Sequence, residues 1–170
     1  VSEAMDAIQY PNVKSIQIIF NIFRQKPAEL FFKEAAKNNV GIIVRVPLAS
    51  GLLTGKMNKN SSFPQNDHRN YNINGDAFDV GETFSGVNYE KGLMAVEKLK
   101  ELIPSGFTLT DLALKWILMH EEVSVVIPGA KNREQATNNV KASDLNDIDA
   151  SLISKINSIY DDIIKEDIHP

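Results

Sequence analysis

The sequence predicts a parallel α/β fold, and three observations carry that reading. Ser15 to Asn21 (SIQIIFN), Gly41 to Val46 (GIIVRV) and Val123 to Ile127 (VSVVI) are short apolar runs rich in β-branched residues. That is the pattern of strands buried on both faces of a parallel sheet. Each run is followed by residues with helical periodicity. The second and third also end in turns containing proline and glycine, which cannot extend a ladder and let the backbone bend sharply or approach a ligand closely. Repeated strand, ligand-type turn and helix are the units of a (β/α)8 barrel at its C-terminal face. A complete TIM barrel takes eight units and about 250 residues, so a chain of 170 is expected to form a partial one.

Taken in order, Ser2 caps a few helical residues that stop before Pro11. The first strand carries Gln17 as its internal polar residue, and a buried glutamine needs a partner for its amide. Pro27 opens a helix through about Asn38, with Leu30, Phe31, Phe32 and Ala35 inward, and Asn38-Asn39 ends it. Residues 58–88 are polar, rich in asparagine, glycine and aspartate, and too long for an idle connection. Such a loop is functional or disordered. Leu93, Val96, Leu99 and Leu102 mark an amphipathic helix ending near Pro104. Thr108 and Asp111 form a T-x-x-D cap for the next helix, whose Leu112, Ala113, Trp116 and Ile117 face inward. Leu152, Ile153, Ile156, Tyr160 and Ile163 define the closing helix, with Asp147 or Asp149 near its cap.

The third strand leads to the most informative stretch. Pro128 and Gly129 end it, and a helix begins at once with Asn132 as N-cap and Gln135 completing an N-x-x-Q capping box. The free N–H groups of that helix start, with Lys131 beside them, suit an anion. The residue chemistry alone supports a phosphate or nucleotide monophosphate site, or else a βα turn that carries glycine and lysine for structural reasons. Composition narrows the classes: 43% hydrophobic and 24% charged residues are ordinary for a globular domain. A net charge of −4 gives no electrostatic reason to expect nucleic acid or an anionic membrane as partner. The absence of cysteine excludes disulfides, and His68, His120 and His169 lack metal-ligand spacing. These features fit a cytoplasmic, metal-free protein with no membrane-spanning run.

IPGAKNREQATNNV closely resembles the last strand-to-helix turn of the aldo-keto reductases, the turn that in that family holds the 2′-phosphate and adenine of NADPH. The resemblance implies that Gly129, Ala130 and Lys131 embrace the phosphate, that Gln135 lies along the ribose phosphate and that Asn138 and Asn139 face the adenine. Arg133 is a second-line candidate. VPLASGLLTGK is similar to the family's pyrophosphate-wrapping turn, which here implies Leu48, Ser50, Gly51 and Lys56. Two residues before the proline the family commonly places an aromatic that stacks on the nicotinamide. This chain has Arg45, whose guanidinium can stack on a ring or pair with a carboxylate. By the same resemblance Gln17 binds the nicotinamide carboxamide. The loop at about 57–88 closes over the cofactor and contributes Arg69 near the 2′-phosphate, with His68 beside it.

The resemblance covers essentially the whole chain, as a single unit over residues 1–170, but maps to the carboxyl-terminal half of the barrel: its last three strands and their helices. The family's catalytic aspartate, tyrosine, lysine and histidine come from earlier strands and have no counterpart here. The expectation is the NADP(H)-binding portion of an oxidoreductase acting on a small carbonyl substrate, inactive alone, with the outer edges of the first and third strands paired to the missing amino-terminal half or to a second copy. The alternative is a non-catalytic nucleotide-sensing subunit of the same fold, like those of ion channels. A phosphate-sugar lyase is disfavoured, because no Schiff-base lysine stands on a strand.

Overall fold

The computed structural model describes residues 1–168; His169 and Pro170 lie outside the described residues. Strand β2 (Gly41–Arg45) runs between β1 (Ser15–Ile19) and β3 (Val123–Val126), all parallel, in the order β1-β2-β3. Side chains alternate across the pleat. Ile16 and Ile18 align with Ile42 and Val44 on the face that packs against helices, where Ile42 and Val44 are wholly buried. Gln17, Ile43 and Val125 stand in register on the opposite face.

That opposite face is open. Gln17 is exposed and Val125 is 43% exposed, so the expectation of strands buried on both faces fails for β1 and β3. Both are edges of a three-stranded sheet, and among the described residues nothing covers their second face. The ladder between β2 and β3 slips by one residue at Ile42/Ile43, and the Ile42 N–H there donates to Ser124 Oγ at 3.2 Å.

The helices follow in chain order: α1 (Ser2–Ala7), α2 (Lys26–Leu30), α3 (Phe32–Lys37), α4 (His68–Tyr71), α5 (Tyr89–Lys100), α6 (Leu109–Leu118), α7 (Arg133–Lys141), α8 (Ala150–Ile159) and α9 (Lys165–Ile168). A π-helical turn, Tyr160–Ile164, joins the last two. The single helix expected from Pro27 is broken at Phe31. That break turns Phe31, Phe32 and Ala35 into the core and leaves Leu30 50% exposed, contrary to its expected inward position. The caps are local, and all but one appear as the sequence implies: Ser2 is the first residue inside α1, whose N-cap is Val1, and its side chain caps nothing. Thr108 and Asp111 form a complete capping box, and Asn88, Asn132 and Asp149 accept from the first-turn amides of α5, α7 and α8.

Core packing centres on aromatic contacts. Phe20, wholly buried, meets Phe32 edge-on at 4.7 Å, stacks on Trp116 at 5.1 Å and meets His120 at 4.9 Å between ring centres. Helix α7 is different: none of its residues is buried and Val140 is 70% exposed.

The polar stretch after β2 is not a loose connection. Asn72, wholly buried, accepts from the amides of Ala77 and Phe78 at 2.9 Å each and donates to Thr83 Oγ1 at 3.1 Å. One asparagine thereby satisfies the backbone of a turn and ties it to the next segment. None of the described helices is long and apolar enough to cross a membrane. No group of three or more His, Cys, Asp or Glu side chains among the described residues could hold a metal ion.

Candidate functional site

The turn that leaves β2 is wound tightly at a cost. Val46, Ala49 and Ser50 take left-handed φ values of 51°, 47° and 54°, and Gly51 takes 102°. A β-branched residue in that region is strained, and such strain persists only where the surroundings fix it. Asn21, wholly buried just after β1, supplies the fixing: its Nδ2 donates to the Val46 carbonyl at 2.8 Å and to Ser85 Oγ at 2.7 Å, while its Oδ1 accepts from the Phe23 amide at 2.9 Å. Ser50 Oγ accepts from the Phe84 amide at 3.0 Å and donates to the Glu82 carbonyl at 3.1 Å. Residues 80–87, themselves left-handed at Phe84 and Ser85, are thus strapped onto the turn.

Facing this turn is the one that leaves β3. The amides of Gly129 and Ala130 have no acceptor among the described residues. The Lys131 amide donates to Gln135 Oε1 at 2.8 Å, and the Gln135 amide donates to Asn132 Oδ1 at 2.9 Å. Gln135 therefore reaches one residue further back than a capping box would take it, because its partner is the amide of Lys131 and not that of Asn132. Asn139 Nδ2 donates to the Gly129 carbonyl at 3.2 Å and holds the glycine turn against α7.

Between the two turns lies a cleft of about 1050 Å3. Leu48, Ser50, Gly51 and Lys56 line it from one side, Gly129, Ala130, Lys131, Gln135 and Asn139 from the other, and Arg69 from α4. Four sequence candidates, Arg133 among them, are not in its wall. Asn138 is exposed on α7. Gln17 lines a separate depression of about 750 Å3 beside β1 and is exposed, not buried as expected. Arg45 is held in a bidentate pair, Nη1 to Glu82 Oε1 at 2.6 Å and Nη2 to Glu82 Oε2 at 2.5 Å, so its carboxylate-paired state is the one observed. Glu82 lines both the cleft and the depression, which puts this ion pair between them.

The charge in the cleft is uneven. Arg69 donates through Nε and Nη2 to Asp67 at 2.9 and 2.6 Å, and both side chains are about four-fifths buried. The guanidinium holds the Asp67 carboxyl well below the usual carboxylate range, and the carboxylate in turn raises the arginine. Lys56 and Lys131 make no ion pair among the described residues and leave the cleft two uncompensated cations. Unpaired amides, a helix start and two free lysines suit an elongated anion. His68 Nδ1 lies 3.1 Å from Thr83 Oγ1 and serves the strap. Arg133, the second-line candidate, is exposed at the first position of α7 and lies outside the cleft wall.

Sequence reasoning missed Asp67 and Glu82. Asp67 had a local signal, an acid two residues before Arg69 in DHR that can both cap a helix and reach the arginine. Glu82, 37 residues from its partner Arg45, had none.

A family model described as the aldo/keto reductase family matches residues 1–161. The chain is 32% identical over 133 residues to a probable voltage-gated potassium channel subunit beta from Arabidopsis thaliana, a match covering 74% of this chain and 37% of that protein. It is 27% identical over 160 residues to the aldo-keto reductase YhdN from Bacillus subtilis, covering 92% of this chain and 45% of the relative. Among solved structures, the glycerol dehydrogenase AKR11B4 from Gluconobacter oxydans superposes with a TM-score of 0.69 at 26% identity, over 92% of this chain and 44% of that one. The chain thus spans less than half the length of these relatives.

Proposed function

Since this chain belongs to the aldo-keto reductase family, we propose that its cleft is an NADP(H) site and that the chain supplies the cofactor-binding portion of a carbonyl reductase, the proton donor lying outside these residues. The observation that carries the reading is the convergence of the two separate turns, after β2 and after β3, on one cleft whose free cations are Lys56 and Lys131. The fit rests on this chain's own atoms: two unpaired amides at Gly129 and Ala130, a helix start, and a single space of about 1050 Å3 that both Lys131 and Gly51 line. When bound, NADPH supplies a hydride to an aldehyde or ketone carbon.

In this reading Gly129, Ala130 and Lys131 hold the 2′-phosphate, and Gln135, Asn138 and Asn139 lie along the adenosine. Leu48, Ser50, Gly51 and Lys56 hold the pyrophosphate. Gln17 and Arg45 serve the nicotinamide end, where the Arg45–Glu82 pair fixes the plane of the guanidinium. The 2′-phosphate alone distinguishes NADP from NAD, and losing one charged hydrogen bond to it costs about 1.5–3 kcal/mol. Lys131→Ala should therefore weaken NADP binding by that amount, measured by calorimetry, and leave NAD binding nearly unchanged. Equal weakening of both would place Lys131 elsewhere.

A second reading, a nucleotide-sensing subunit without turnover, is favoured by the likeness to channel β subunits. NADPH oxidation that depends on an added aldehyde, assayed on the complete protein, supports the reductase. Binding without turnover supports the sensor.

A further inference from the structure

Arg69 is gripped on one edge and on one face. Its Nε and Nη2 edge is bonded by Asp67, its plane lies over the Phe63 ring at 4.4 Å, and Phe63 rests on the buried Phe84. Asp67 is also the N-cap of α4, accepting from the Arg69 amide at 3.0 Å, so one carboxylate fixes both the backbone and the side chain of the arginine. What this grip leaves over is Nη1, which has no acceptor among the described residues. That nitrogen is aimed at the turn after β2: a Cβ placed on Gly51 would lie 3.8 Å from it.

Resting on the NADP(H) reading of the cleft, we propose that Asp67 is a positioning residue that presents Arg69 Nη1 to a phosphate oxygen lying over Ser50 and Gly51, so that Arg69 serves the pyrophosphate shared by NADP and NAD and not the 2′-phosphate. Two effects of Asp67 oppose each other. Its charge repels an anion, yet it sits on the far edge of the guanidinium, and the arginine's own charge lies between it and the ligand. Its grip, in contrast, spares the ligand the cost of ordering a long side chain, and arginine is among the most costly to order. The grip wins, because bidentate geometry fixes direction as well as position.

The test uses Asp67→Asn, which keeps a side chain suited to cap α4 while removing the second charged oxygen. Affinities for NADP and for NAD should both fall by the same factor, roughly tenfold. In an Arg69→Ala background the same substitution should change neither affinity, which a merely structural role would not reproduce. The Arg69 Nε–H resonance, sharp in the parent protein without nucleotide, should broaden or exchange away in Asp67→Asn. Unchanged or tighter binding in Asp67→Asn, a loss confined to NADP, or an unaltered Nε–H resonance would overturn the assignment while leaving the cofactor site standing. Failure of the parent protein to bind either nucleotide would overturn both readings.

Discussion

Phe20→Ala is expected to destabilise the chain by about 3–5 kcal/mol, the range for truncating a fully buried aromatic. Phe20 is wholly buried and is the ring that Phe32, Trp116 and His120 all touch, at 4.7, 5.1 and 4.9 Å. Removing it opens a cavity where three elements meet, and rings held by one another cannot collapse into it without leaving their rotamers. The same cluster sets a pH dependence. Burial pushes the His120 imidazole below its ordinary 6.5, against weaker opposing effects from the Trp116 and Ile117 carbonyls and from Glu122. The unfolded chain then takes up the proton first, so stability holds above about 6.5 and is lost as the pH falls below it. In Phe20→Ala water reaches the imidazole and that dependence should flatten. Urea titrations at neutral and mildly acidic pH measure both effects. A loss under about 1 kcal/mol, below the range for such truncations, would show that the cluster is not the centre of the core.

The second large effect is expected at Asn21. Asn21→Ala leaves the Val46 carbonyl, Ser85 Oγ and the Phe23 amide without their partner in a buried setting, and each orphaned group costs about 1–3 kcal/mol before relaxation. A total of roughly 3 kcal/mol is expected. The substitution also frees Val46 from its left-handed conformation, φ 51°, so the turn after β2 should relax and nucleotide affinity should fall beyond what the lost stability explains. Comparing affinities at a temperature where both proteins are folded separates the two. A destabilised protein with unchanged affinity would show that the Asn21 network does not shape the cleft.

How much of this was legible in the sequence follows from how local each cause is. The three strands, the caps at Thr108, Asn132 and Asp149, and the two glycine turns each depend on residues within about five positions, and the sequence displays them directly. The exposure of Gln17 and Val125 was not legible, because an apolar run reads the same at the centre of a sheet and at an edge. Arg45 shows the limit at the site: its type allowed stacking or pairing, and the choice was made by Glu82, which arrives from a strap held down by Asn72, Ser50 and Asn21. Asn21 itself read as the end of a strand. Its partner Ser85 lies 64 residues away, and no local pattern connects them.

Whether the cleft between the two turns is the nucleotide site is tested most directly by following backbone amide resonances of the 18.9 kDa chain as NADP is added. Saturable shifts are expected at Gly51, Lys56, Gly129, Ala130 and Lys131, with the same titration by NAD moving the first two and leaving Lys131 nearly still. Shifts confined to residues around Gln17, or none at concentrations that saturate other NADP-binding proteins, would contradict it.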